Sequence, residues 1–149
     1  LLKDLLPNPI DQQLIFALSQ TEWDHTDAAT WAPLVTKRVL IQEAIGDAQV
    51  SNVSTRILAR LLGLPALAGL VQPVFGITES AAPLDSAYTQ WDAHALPVPP
   101  LGNIALPMDN IAHNSIWISQ KGKQQVKAFF APPPGGQVVD VCGGPCTDY

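Results

Sequence analysis

Residues 37–64 read KRVLIQEAIGDAQVSNVSTRILARLLGL, and three patterns follow one another within them. Val39, Leu40 and Ile41 form a compact apolar run flanked by Lys37 and Arg38, which fits a strand buried on both faces, as in parallel sheets. Gly46 permits a sharp turn. From Val50 onward, Val53, Ile57 and Leu61, with Val50, Leu58 and Leu62 alongside, repeat at helical spacing until Gly63 and Pro65 close the segment. Strand, turn and helix in that order are the unit from which α/β sheets are built. Asp47 stands at the turn. Functional groups in such sheets collect where loops leave the carboxyl ends of the strands, so Asp47 is either a helix cap or one member of a catalytic set. Ser51 and Asn52 lie nearer to the apolar stripe and can serve as the cap, but spacing alone leaves both roles open.

Working outward, residues 1–20 place Leu1, Leu2, Leu5 and Leu6 before Pro7 and Pro9, then Ile10, Leu14, Ile15 and Leu18, which predicts two short helical pieces with a proline break between them. TEWDHTDAATWAP, residues 21–33, has little periodicity and reads as a loop with one helical turn. On the other side, a proline-broken connector leads to SAYTQWDAH, residues 86–94, whose alternation predicts a second strand. A Pro-rich loop over 95–110 follows, then a helix within 111–130 whose inner face is marked by Val126, Phe129 and Phe130. The expected organisation is a helical, lid-like or connecting segment over 1–35, an α/β core portion over 36–131 and a Pro/Gly-rich tail over 132–149. Two strands cannot supply a self-sufficient core of this class, so the architecture calls for more chain than these residues provide. The first residue is Leu1 rather than methionine, which fits either a removed leader or a piece of a longer polypeptide.

A length of 149 residues suits one domain. Charged residues make up 14% of the chain, well under the roughly 25% usual for soluble domains, and 14 prolines point to long ordered loops. A net charge of −5 and the lack of a lysine or arginine cluster argue against a nucleic-acid partner. The longest apolar run, 61–71, is interrupted by Pro65 and is too short for a transmembrane segment. Cys142 and Cys146 in VCGGPC are spaced for a tight disulfide loop or for a free pair in a mobile tail; a bond there would indicate an oxidising compartment. No further ligands stand near them to complete a zinc site, and no cofactor is called for.

His113 is the second candidate. It follows the second predicted strand by a long loop and immediately precedes a helix; alone, it is as well explained by a satisfied or solvent-facing histidine. Taken together, RVLIQEAIGDAQVSNVSTRILARLLGL and MDNIAHNSIW before KQQVKAFF resemble the strand, acid turn, histidine loop and final helix in the C-terminal part of an α/β-hydrolase of the bacterial lipase- and esterase-like kind, where Ser, acid and His follow one another along the chain. VVDVCGGPC is similar to the cysteine-containing ending of some secreted or envelope members. The resemblance implies the C-terminal half of that fold, parallel strands with covering helices but without the N-terminal strands. It also implies that Asp47 is the orienting carboxylate and His113 the general acid/base of a triad acting on carboxylic esters or lipid-like substrates, outside the cytoplasm.

The G-x-S-x-G turn that carries the nucleophile is absent: none of Ser19, Ser51, Ser54, Ser80, Ser86, Ser115 or Ser119 has the flanking glycines. Ser115 is too near His113 along one loop to reach its ring. The serine is therefore expected in a missing N-terminal half of the same polypeptide, and this chain alone should not catalyse hydrolysis. Other candidates rank lower. Asp24, His25 and Asp27 form a local acidic cluster that a solvated loop explains as well as a cation would. Trp23, Trp31 and the apolar residues of 1–18 could line an acyl pocket or simply pack. Asp85 and Asp92 are rival acids, and His94 is the rival histidine. The reading from another class is a non-catalytic α/β binding domain in which Asp47 only caps a helix.

Overall fold

The computed structural model describes residues 2–98, 108–132 and 135–147. The middle of the Pro-rich loop, residues 99–107, lies outside them, as do Leu1, residues 133–134 of the tail and the last two residues. The chain divides into two compact units, Leu1–Val35 and Thr36–Tyr149.

The first unit is helical. Helices α1 (Leu2–Leu5) and α2 (Pro9–Trp23) are separated at Pro7 and Asn8, the predicted proline break. Asn8 caps α2 by accepting the Ile10 N–H at 3.0 Å, and Pro9 takes the first helical position, where its missing N–H costs nothing. The stretch expected to be mostly loop is more helical than that. α2 runs on to Trp23, and after a short turn come α3 (Ala28–Trp31) and a 3-10 turn at Ala32–Leu34. The aspartates make the difference: Asp27 caps α3 by accepting the Ala29 N–H at 2.8 Å, and Asp24 accepts the Gln20 side-chain amide at 2.7 Å. None of the residues of α2 is buried.

The second unit is an α/β sheet. Its elements are β1 (Leu40–Ala44), α4 (Asn52–Leu61), β2 (Ala66–Leu67), β3 (Glu79–Ser80), β4 (Ala87–Trp91), α5 (Ala112–Ile118) and α6 (Gln120–Phe129). The four strands are all parallel, in the spatial order β1-β4-β2-β3. The two predicted strands are therefore neighbours, Leu40 to Ala44 pairing with Ala87 to Trp91 in register. β2 and β3 escape the sequence reading because two residues carry no period. β4 is central, and all five of its residues are buried, so its sequence alternation does not divide it into a wet and a dry face. β1, expected to be buried on both faces, lies at the edge of the sheet among the described residues; it has packing partners on both faces, but only Glu43 and Ala44 at its end are buried.

Side chains alternate between two covered faces. Ile41, Ala66 and Tyr88 meet Ala59 of α4 and Leu64 on one face. On the other, Leu40, Leu67 and Ala87 meet Phe129 of α6 and Val138, while Ala44 and Trp91 meet Ala112 and Ile116 of α5 together with Cys146. The expected single helix within 111–130 is two. Ser119, at φ −70° and ψ 145°, leaves the helical region, and its hydroxyl accepts the Gly122 N–H at 2.7 Å, so a serine in mid-run becomes the cap of α6. Gly122 is required there, because a Cβ would collide with the Ile116 carbonyl.

The tail is tied to the sheet. Val138 bridges Leu84 antiparallel, and Cys146 bridges Trp91 in parallel, its carbonyl accepting the Asp92 N–H at 2.8 Å. Cys142 and Cys146 form a disulfide, with Cys146 inside the cluster beneath α5.

Candidate active site

The turn after β1 is built around Gly46, whose φ of 76° lies where a side chain is strained. Two asparagines fasten it. Asn52, from the start of α4, accepts the Gly46 N–H at 2.9 Å and donates to the Ala44 carbonyl at 2.7 Å. Asn110 donates to the Gly46 carbonyl at 2.8 Å across 64 positions of chain. Asp47 is thereby presented at the carboxyl end of the sheet with its two oxygens doing different work. Oδ1 accepts the N–H groups of Gln49 and Val50 at 2.7 and 2.9 Å, and Oδ2 lies 2.9 Å from His113 Nδ1, 66 positions away.

The two oxygens of Asp47 thus make separate contacts, one within its own turn and one across to α5. The residue that precedes α4 as its N-cap is Ser51, which makes no side-chain capping bond, so Asp47 caps the turn rather than the helix. Since a carboxylate only accepts, the contact requires the proton on His113 Nδ1 and leaves Nε2 as the basic nitrogen. The Asp47 side chain is 10% exposed and the His113 side chain 32%, so the carboxylate is screened from water while the ring is reachable.

His113 lies in the first turn of α5, whose inner face, Ala112, Ser115 and Ile116, is buried. β1 and β4 are adjacent, and the chain leaves them for opposite faces of the sheet, to α4 and to α5 with α6. That divergence opens the crevice in which α/β sheets carry their sites. A groove of about 360 Å³ follows the outer edge of β1 past the pair, lined by Asp47, Val50, His113, Trp117 and Phe130 among others.

The other candidates are occupied elsewhere. Ser115, buried in α5, donates to the Ala112 carbonyl at 2.8 Å. His94 places Nδ1 3.2 Å from Oδ2 of Asp92, two residues away, and its side chain is 68% exposed. Asp85 accepts the Gln137 side-chain amide at 3.1 Å. Among the described residues no three His, Cys, Asp or Glu side chains are grouped to hold a metal ion, and Asp24 and Asp27 serve helix ends.

Sequence reasoning passed over two polar groups inside the sheet. On the α4 face, Glu43 is almost wholly buried and accepts from Arg56 through Nε at 3.0 Å and Nη2 at 2.8 Å, with Gln90 donating to the Tyr88 hydroxyl beside it. Burial outweighs the Arg56 guanidinium and leaves the Glu43 carboxyl above its ordinary 4.5. Burial, followed by the Glu43 charge, likewise pushes the Tyr88 phenol up. For Arg56 burial acts downward, but the Glu43 carboxylate overcomes it and the guanidinium rises. On the opposite face, Gln125 is fully buried, accepts from Gln42 at 3.0 Å and Thr89 at 3.3 Å, and donates to the Val139 carbonyl at 3.1 Å. A glutamate within an apolar run and an arginine on the facing helix were the available signal for the first group.

Comparison of the chain with protein-family models, with curated proteins and with solved structures finds no match.

Proposed function

We propose that this chain is the C-terminal portion of a serine hydrolase of the α/β-hydrolase class acting on carboxylic esters, supplying the acid and histidine of a Ser-His-Asp triad. The observation that carries the reading is the 2.9 Å contact between Asp47 Oδ2 and His113 Nδ1 at the carboxyl end of adjacent parallel strands. A serine hydroxyl is a poor nucleophile until a base takes its proton, and imidazole, which titrates near neutrality, can serve as base and then as acid toward the leaving alcohol. Asp47 fixes the tautomer that leaves Nε2 free to accept, and stabilises the imidazolium as it forms.

The serine is placed in an upstream half of the same polypeptide, seated along β1. Support for this comes from the edge itself. Val39 O accepts from Ala87 and Ile45 N–H donates to Trp91, so alternate residues 39, 41, 43 and 45 turn their backbone groups toward β4. Leu40 and Gln42 then turn theirs outward, where among the described residues no strand lies. Trp117 and Phe130 beside that edge are about three-quarters exposed, suited to an apolar acyl group or to the upstream half. The Cys142–Cys146 bond supports an extracytoplasmic location.

The experiment is active-site labelling of the complete polypeptide with a fluorophosphonate. His113→Ala is expected to slow labelling by about 10²–10⁴-fold. Labelling at the parental rate would remove His113 from the chemistry and favour the non-catalytic binding domain.

A further inference from the structure

Asn110 lies three residues before His113, and its side chain is bonded to three separate segments. Nδ2 donates to the Gly46 carbonyl at 2.8 Å and to the Pro97 carbonyl at 2.9 Å, while Oδ1 accepts the Ala112 N–H at 3.1 Å. Both amide protons and one amide lone pair are thus committed, which only a carboxamide of this length can do. Asn110 is 8% exposed, so these bonds form away from competing water. Its main chain is held as well: the Asn110 N–H donates to Asp109 Oδ1 at 2.8 Å, and Asp109 Oδ2 accepts from the Gln49 side chain at 2.7 Å. The residues on the two sides of this link are the immediate neighbours of the pair, Gly46 next to Asp47 and Ala112 next to His113.

We infer that Asn110 is a positioning residue for the Asp47–His113 pair, fixing the gap between acid turn and histidine helix by joining Gly46, Pro97 and Ala112 through one carboxamide. The Asp47 turn is fastened to its own helix by Asn52, but nothing in that bond sets its distance from α5. The tie across does so at the two residues next to the pair, adding to the packing of Ala44 on Ala112 and Ile116 and to the Gln49–Asp109 bond, and a charge-assisted hydrogen bond tolerates a shift of only a few tenths of an ångström. Its meaning for catalysis rests on the proposed function; the geometric claim can be tested apart from it.

The test uses the complete polypeptide with ¹⁵N-labelled histidine and tryptophan, reading the low-field Nδ1–H proton of His113 and, as a control for the core, the indole N–H of Trp91, which donates to Thr89 at 2.9 Å. Asn110→Asp keeps the acceptor for Ala112 but turns a second oxygen on the Gly46 and Pro97 carbonyls. The His113 resonance is expected to be lost while the Trp91 resonance stays. Asn110→Ser, which can still cap Ala112 but is too short to reach Gly46, is expected to do the same without added charge. Retention of the His113 resonance in Asn110→Ser overturns the inference, and so does loss of the Trp91 resonance in both variants, which would make Asn110 a residue of the fold alone. Asp47→Asn separates the two claims. If it leaves the His113 resonance in place, the pair itself is refuted; if it removes the resonance and the Asn110 variants do not, only the positioning role fails.

Discussion

On the proposed function, Asp47→Asn in the complete polypeptide is expected to lower kcat by about 10⁴-fold, the scale on which loss of the orienting carboxylate acts in Ser-His-Asp enzymes. The substitution is close to isosteric, and its side-chain oxygen can go on accepting the Gln49 and Val50 N–H groups that Oδ1 now holds at 2.7 and 2.9 Å. What changes is the other arm. An amide N–H₂ facing His113 Nδ1 at 2.9 Å cannot accept a proton from it, so the ring keeps the contact only by moving its own proton to Nε2. That nitrogen is then a donor and cannot take the proton of a serine. KM should change much less than kcat, because the substitution is nearly isosteric and leaves alone the apolar side chains that line the groove beside Asp47, among them Val50, Trp117 and Phe130. Steady-state kinetics on an activated ester decides it, and a kcat within tenfold of the parent would reduce Asp47 to a turn cap. Asp47→Ala would be the poorer experiment, since it also strips the turn of its acceptor.

The part of this arrangement that was legible in the sequence is the part set by periodicity. Leu40, Ile41 and the helical repeat from Val53 to Leu61 place a strand, a turn and a helix where they occur, and the glycine before Asp47 marks the turn. The pairing of β1 with β4 needed the intervening β2 and β3, which at two residues each are defined by their hydrogen bonds to neighbours and not by pattern. Asn110 was hidden for a related reason. One asparagine ahead of a helix reads as a local cap, and its Ala112 bond is that, but the bond to Gly46 spans 64 positions and leaves no local trace. Asp47 and His113 could be paired on paper only through a resemblance of chain order; distance along the sequence says nothing about their separation. Glu43 was overlooked because a charge inside a strand-like run contradicts the run, and only the bonded Arg56 on α4 resolves the contradiction.

That buried carboxylate leads to the largest stability effect expected in the sheet unit. Arg56→Ala should destabilise the chain by about 3–5 kcal/mol near neutral pH, toward the lower figure because the guanidinium is 21% exposed while Glu43 is 1% exposed. The loss is not chiefly that of an attraction; it is the cost of leaving Glu43 charged where water cannot reach it. The sign of the pH dependence follows. Burial already holds the Glu43 carboxyl above 4.5 in the fold, against the opposing pull of Arg56. A group raised in the folded state adds stability that is complete below its unfolded value and is lost as pH rises through the folded one. Without Arg56 both influences that lower the value most are gone, so the folded value climbs further and the loss extends to higher pH. Urea unfolding of Arg56→Ala should therefore lie nearest the parent at about pH 4 and fall progressively below it toward about pH 8. Glu43→Gln should flatten that dependence even in the Arg56→Ala background, because an amide has no proton to gain. Equal pH profiles for Arg56→Ala and for the double variant would mean that Glu43 releases its proton over the same pH range folded and unfolded, so that burial does not penalise its charge and Arg56 is held by packing alone.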